Sequence, residues 1–165
     1  MIEKAPSGEV NVIGEPDIAA ALGRIHSGLF IVTCGDTAML ASWVQQCSFD
    51  PPQITLAVKD GRDMSGLLQP GAALAVSILA EGQNAIVAHF AQGKPLADLP
   101  ANESSIERVS GMAPSLGAAH AVLHARVSAT IPAGDHRLIV AEIIGGKSQS
   151  DAKPWVHVRK SGLKY

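Results

Sequence analysis

Residues Met39 to Asp60 read MLASWVQQCSFDPPQITLAVKD, the pattern of a strand, a tight corner and a second strand. Ser42, Gln45, Gln46 and Ser48 crowd hydroxyl and amide groups into a segment that also carries Trp43, Val44, Cys47 and Phe49, a composition suited to facing a ligand. Asp50-Pro51-Pro52 fixes two φ angles in series and removes two amide donors, so the corner is stiff and belongs neither inside a helix nor in a central strand. Beyond it, Ile54, Leu56 and Val58 alternate with Thr55, Ala57 and Lys59. One apolar face therefore points inward and Lys59 lies on the other side at the strand's end.

Upstream, Gly28 to Cys34 is rich in β-branched and aromatic residues, and Gly35-Asp36 turns it into the Met39 strand. Ile18, Ala21, Leu22 and Ile25 have helical spacing, with Pro16 suited to the first turn, which predicts a short helix ending before Gly28. Downstream, Asp60-Gly61 turns the chain, and Met64, Leu67 and Leu68 suit a short helix stopped by Pro70-Gly71. Ala72 to Leu79 is a nearly continuous apolar run, as in a strand buried on both faces. Ile86, Val87 and Phe90 mark another helix face, and Gln92 to Glu103 reads as a long loop suited to a lid or partner surface. Ala121, Leu123, Ala125, Val127, Ala129 and Ile131 alternate, Gly134-Asp135-His136 turns, and Leu138 to Ile144 returns as a strand ended by Gly145-Gly146. Trp155 to Val158 is expected to close the sheet. Six or seven strands with three short helices point to an antiparallel barrel or sandwich with peripheral helices. A G-x-G-x-x-G motif opening a helix is absent from the sequence, which argues against a Rossmann cofactor site.

The 165 residues suit one domain with a real core, read as an arm over residues 1–15 and a domain over 16–165. Hydrophobic residues make up 47% and charged residues 17%, which argues against disorder, and with only 4% aromatics the core must be built from Ala, Val, Leu and Ile. A formal charge of −2 with scattered Lys and Arg gives no footprint for nucleic acid. Cys34 and Cys47 lack C-x-x-C spacing, so neither a zinc site nor a disulfide framework is expected and a reducing cytoplasm fits best. MIEKAPSGEV has no apolar signal core, and no run reaches membrane-spanning length, so a soluble, unexported protein is expected.

The pattern A-S-W-V-x-Q-x-S-F-D-P-P, followed by an alternating strand, then G-D-H and a terminal R-K-x-G-x-x-Y, resembles the flavin reductase-like proteins. Within that family the likeness is to the flavin reductase module that ends the cyanobacterial diflavin flavodiiron proteins. The resemblance runs from about Asp17 to Tyr165. It implies a mainly β fold, an antiparallel FMN-binding split β-barrel of Greek-key type with short peripheral helices. It also implies that Ser42, Trp43, Val44 and Gln45 border the isoalloxazine and ribityl chain, and that Cys47, Ser48 and Phe49 form a second contact group. A homodimer completing each flavin site is implied as well. The sequence departs from that pattern in lacking aromatics around Ala73 to Val76 and in carrying Arg137 after G-D-H.

Lys59, Arg62 and Ser65 place two cations and a hydroxyl near a helix start, which suits a phosphate and equally describes a solvated turn. His136 sits where Asp135 could orient its ring; the resemblance implies contact with nicotinamide, and positioning suits it better than acid catalysis because hydride transfer needs no proton donor at first. Cys47 reads by default as a small buried hydrophobe. His120 and His124 share a strand face without a third ligand nearby in sequence, so no metal is assigned. Trp155 to His157, with Arg159-Lys160 and Tyr165, read as a C-terminal strap.

The expected function is an NAD(P)H:flavin oxidoreductase that binds FMN, with FAD as the alternative cofactor, and passes electrons to a partner protein or to oxygen. Two alternatives stay open: an electron relay that takes electrons from a partner without nicotinamide, and a split-barrel module for another planar ligand such as haem.

Overall fold

The computed structural model describes residues 16–158. The arm over residues 1–15 and the strap residues Arg159, Lys160 and Tyr165 lie outside the described residues. Ser27 to His157 form one compact unit; helix α1, Pro16–Leu22, belongs to another. It ends short of Ile25, earlier than its apolar spacing predicts.

The larger unit runs β1 (Ser27–Gly28), β2 (Phe30–Cys34), β3 (Thr37–Ala41), β4 (Val44–Phe49), β5 (Pro52–Lys59), α2 (Asp63–Leu67), β6 (Ala73–Ile78), α3 (Asn84–Ala91), β7 (Ile106–Glu107), β8 (Ser115–Leu116), β9 (Ala121–Ala133), β10 (His136–Ser148) and β11 (Val156–His157). Seven of these strands make one sheet in the order β3-β2-β6-β9-β10-β5-β4, with every neighbouring pair antiparallel. Laid flat, seven strands would hold the two edges about 29 Å apart. Yet β3 and β4, the two edges, are joined by Ser42-Trp43 alone, and Ala41 to Val44 can span at most about 11 Å. The sheet therefore has to curl until its edges meet, and the fold is a split β-barrel with few helices.

The alternating residues fill the interior. Val32, Leu56, Val58, Leu74, Val76, Val127 and Ile139 pack together inside the barrel, with Met64 and Leu68 of the α2 segment against them. A second cluster of Ile31, Leu79, Ile86, Phe90, Leu116 and Val122 joins the opposite face of β2 and β9 to α3. This explains why β6 is apolar but for Ser77: it is buried on both faces, and the Ser77 hydroxyl oxygen accepts a hydrogen bond from Leu116 N at 3.1 Å.

Two strand ends differ from the sequence expectation. Strand β10 does not stop at Gly145-Gly146 but continues to Ser148, with a register shift between Ile143 and Gly145. A Cβ at Gly146 would stand 3.0 Å from both Leu123 Cδ2 and the Val122 carbonyl oxygen, so the glycine allows close approach inside the strand. Trp155 to Val158 does not close the main sheet. Val156 and His157 pair instead with Gly28 and Ser27 in a separate two-stranded ribbon, and Leu29, buried, separates that ribbon from β2. The segment before β9 also pairs, β7 with β8, in two residues each, too short for periodicity to register.

Candidate functional site

Three chain segments meet at one end of the barrel. Antiparallel pairing sets His136, the first residue of β10, opposite Lys59, the last of β5. The Ser42-Trp43 link lies alongside, since Ala57 N donates to the Trp43 carbonyl at 3.0 Å. Trp43 and His136 face each other with ring centroids 5.1 Å apart and planes tilted by 43°. His136 is only 7% exposed, although its G-D-H setting reads as an open turn.

The Asp135 carboxylate accepts a hydrogen bond from His136 Nδ1 at 2.7 Å. In the neutral imidazole this assigns the proton to Nδ1 and leaves Nε2 the acceptor. The same bond holds the Asp135 carboxyl below its ordinary range. Asp60 N donates to the Asp135 carbonyl at 3.0 Å, tying the β5–α2 turn to the β9–β10 turn.

Around the β5–α2 turn, Lys59 is half-buried and Arg62 exposed. Ser65 is buried and its hydroxyl donates to the Arg62 carbonyl at 2.7 Å, bracing the turn from within. Val44 packs its side chain against the barrel core and pairs with Leu56 of β5. Gln45, Cys47, Ser48 and Phe49 run away along β4, and Phe49 pairs with Pro52 at the opposite end of β5 from Lys59. That separation is about 23 Å along the strand. Ser42, Trp43, Lys59 and His136 are thus brought together, Arg62 and Ser65 flank them, and Cys47 to Phe49 stand apart in this chain. Cys47 is exposed rather than buried, because it is the extra residue of a β-bulge between Gln46 and Ser48.

Sequence reasoning did not foresee a cavity of about 560 Å3 lined by Cys34, Asp36, Ala73, Arg108, Met112 and Pro114, among others. It shares no residue with the candidates. Burial raises the pKa of the Cys34 thiol there. Of the two histidines expected on one strand face, His120 lies just before β9 and its Nδ1 pairs with Ser150 Oγ at 3.0 Å, whereas His124 is buried on the face of β9 that carries Val122, and its Nδ1 has no hydrogen-bond partner among the described residues.

A half-exposed tryptophan, strand amides, a half-buried lysine and a neighbouring arginine make a donor set for a planar heterocycle carrying an anionic tail. Residues 22–162 match the flavin reductase like domain. The chain belongs to that family. Flavin reductase-like relatives among curated proteins include the reductase component of 4-hydroxyphenylacetate 3-monooxygenase from Thermus thermophilus, 32% identical over 85% of this chain and 89% of its own. Diflavin flavoprotein A 1 of Synechocystis sp. is 35% identical over 92% of this chain but only 27% of its own length. The chain thus spans about a quarter to a third of the diflavin relatives it matches. Among solved structures, the NADH:FAD oxidoreductase of Streptomyces globisporus has the same fold, with a TM-score of 0.76 at 23% identity over 88% of this chain and 90% of that one. The styrene monooxygenase flavin reductase of Pseudomonas putida follows at 0.71 and 24%, over 85% and 91%.

Proposed function

We propose that this flavin reductase-like chain binds FMN and reduces it with NADH or NADPH, passing the electrons to a partner protein or to oxygen. The observation that carries the reading is the meeting of Trp43, Lys59 and His136 at one barrel end in a chain of this family. Lys59 and Arg62 hold the phosphate by charge-assisted contacts. Ser42, Gln45 and the β4 backbone offer donors and acceptors to the polar edge of the ring, and Trp43 gives it an apolar wall. Asp135 fixes the imidazole of His136, which positions the nicotinamide. Bound flavin supplies the capacity to accept a hydride and release electrons one or two at a time.

The reading includes a homodimer. Thr55, Ala57, Ala129, Ile131, Leu138 and Val140 share the outer face of β5, β10 and β9 beside His136, and none of them is buried. A second copy on this face would cover it and bring a second set of contacts to the flavin, a role for the otherwise distant Cys47, Ser48 and Phe49. We place the protein in the cytoplasm, the compartment in which free thiols such as those of Cys34 and Cys47 are kept reduced.

A second reading, an electron relay fed by a protein, takes support from the cover that Trp43 gives to His136, which narrows access for a nicotinamide. The deciding experiment is an absorption spectrum of the purified protein after FMN addition, followed by NADH and NADPH without oxygen. Prompt bleaching with either nucleotide is expected. Flavin that dithionite bleaches but neither nucleotide does would establish the relay, and a haem spectrum would replace both readings.

A further inference from the structure

The phosphate-holding turn is a poor anion site on its own charges. Lys59-Asp60-Gly61-Arg62-Asp63 carries two cations and two carboxylates, and Asp135 adds a third carboxylate at the turn tied to it. A phosphate arriving there would meet a net negative cluster. Arg137 alters that balance. Its Nε donates to Asp60 Oδ1 at 2.6 Å, and the two side chains are each a little under half exposed.

The placement follows from strand geometry. Arg137 pairs with Val58, an interior position, so it points to the other side of β10 from His136 and reaches Asp60 at the barrel mouth. The bond draws the Asp60 carboxylate toward Arg137 while the backbone bond from Asp60 N to the Asp135 carbonyl fixes the turn itself. Arg137 thus adds a positive charge to the cluster and occupies the carboxylate lying between Lys59 and Arg62 in sequence.

We propose that Arg137 is a positioning residue for the flavin phosphate, acting through Asp60: by pairing with that carboxylate it lowers the negative charge that the anion meets at the turn. This rests on the assignment of the phosphate to the β5–α2 turn. It gives the residue after G-D-H a part in cofactor affinity rather than in nicotinamide contact.

The test compares FMN with riboflavin, which lacks the phosphate, by equilibrium titration of the full chain. Arg137→Ala should weaken FMN about three- to fivefold, as fits a partly exposed ion pair, and leave riboflavin unchanged. Arg137→Lys should retain most of the FMN preference. Adding Asp60→Asn to Arg137→Ala should restore that preference, because the carboxylate that needed neutralising is gone. A double variant as weak as Arg137→Ala would show a merely structural role and overturn the proposal. If Lys59→Ala and Arg62→Ala lower the FMN preference but Arg137→Ala does not, the proposal fails and the phosphate site stands. If none of the three alters the preference, the phosphate assignment itself fails and takes this proposal with it.

Discussion

Trp43 and His136 lie far apart in sequence, yet their rings stand 5.1 Å apart, one from the link between the two sheet edges and the other from the start of β10. The contact places the imidazole under an aromatic cover, with Asp135 holding its other side at 2.7 Å. If His136 positions the nicotinamide, His136→Ala should slow anaerobic flavin reduction by NAD(P)H about tenfold or more, the equivalent of about 1.4 kcal/mol. Stopped-flow absorbance reads the rate, and FMN affinity should change little. A variant as fast as the parent would remove His136 from the reaction.

Lys59→Ala and Arg62→Ala should each weaken FMN by about ten- to a hundredfold, the loss of one charge-assisted contact worth about 1.5–3 kcal/mol. Riboflavin binding should be nearly unaffected. Fluorescence titration of both ligands gives the ratio, and equal losses would take these cations out of the site.

Stability should depend on pH through His124. Burial lowers its pKa from 6.5, with Lys147 pushing the same way and Glu107 opposing. Lys147 and Glu107 pair with each other beside it. Below pH 6.5 the unfolded chain takes up the proton first, so His124 contributes fully above that value and its contribution falls as the pH drops toward the folded value. The urea midpoint should fall between about pH 7.5 and about pH 5.5, and fall less in His124→Leu. Parallel curves for parent and variant would place the sensitivity elsewhere.

Light scattering of the purified chain should give twice the 17.1 kDa protomer mass. Leu138→Lys puts a charge on the outer face of β10 and should shift the protein toward monomer while weakening FMN. Tight FMN binding by a monomer would separate the flavin site from any second subunit.

Strands β5 and β9 were legible in the sequence because each presents a regular face to a core, and a period of two survives whatever lies opposite; β6 was legible as an apolar run because both its faces are covered. The Pro-Pro corner was legible as well, but the stretch before it, which reads as one strand from Met39, is two, β3 and β4, parted at Ser42-Trp43 and lying at opposite edges of the sheet. What escaped depends on distant partners. Gly146 reads as a stop until Leu123 stands against it, and Val156-His157 reads as a sheet strand until its partner proves to be Ser27-Gly28. His136 reads as an exposed turn residue because nothing local announces that Trp43 will cover it. Asp60 and Arg137 were each visible in the sequence, but their ion pair depends on the register between β5 and β10.

The bulge at Cys47 bears on how the protein behaves in solution. Strand β4 is an edge of the sheet, and Phe49 beside its corner is 87% exposed, the kind of border along which chains can polymerise strand upon strand. An unpaired residue in the middle of that border breaks the regular spacing of amides and carbonyls that an incoming strand would need. The irregularity therefore guards against fibrous self-association, while the Cys47 thiol it turns outward makes the lone chain, rather than the assembled dimer, the form open to air oxidation and chain-to-chain disulfides during storage.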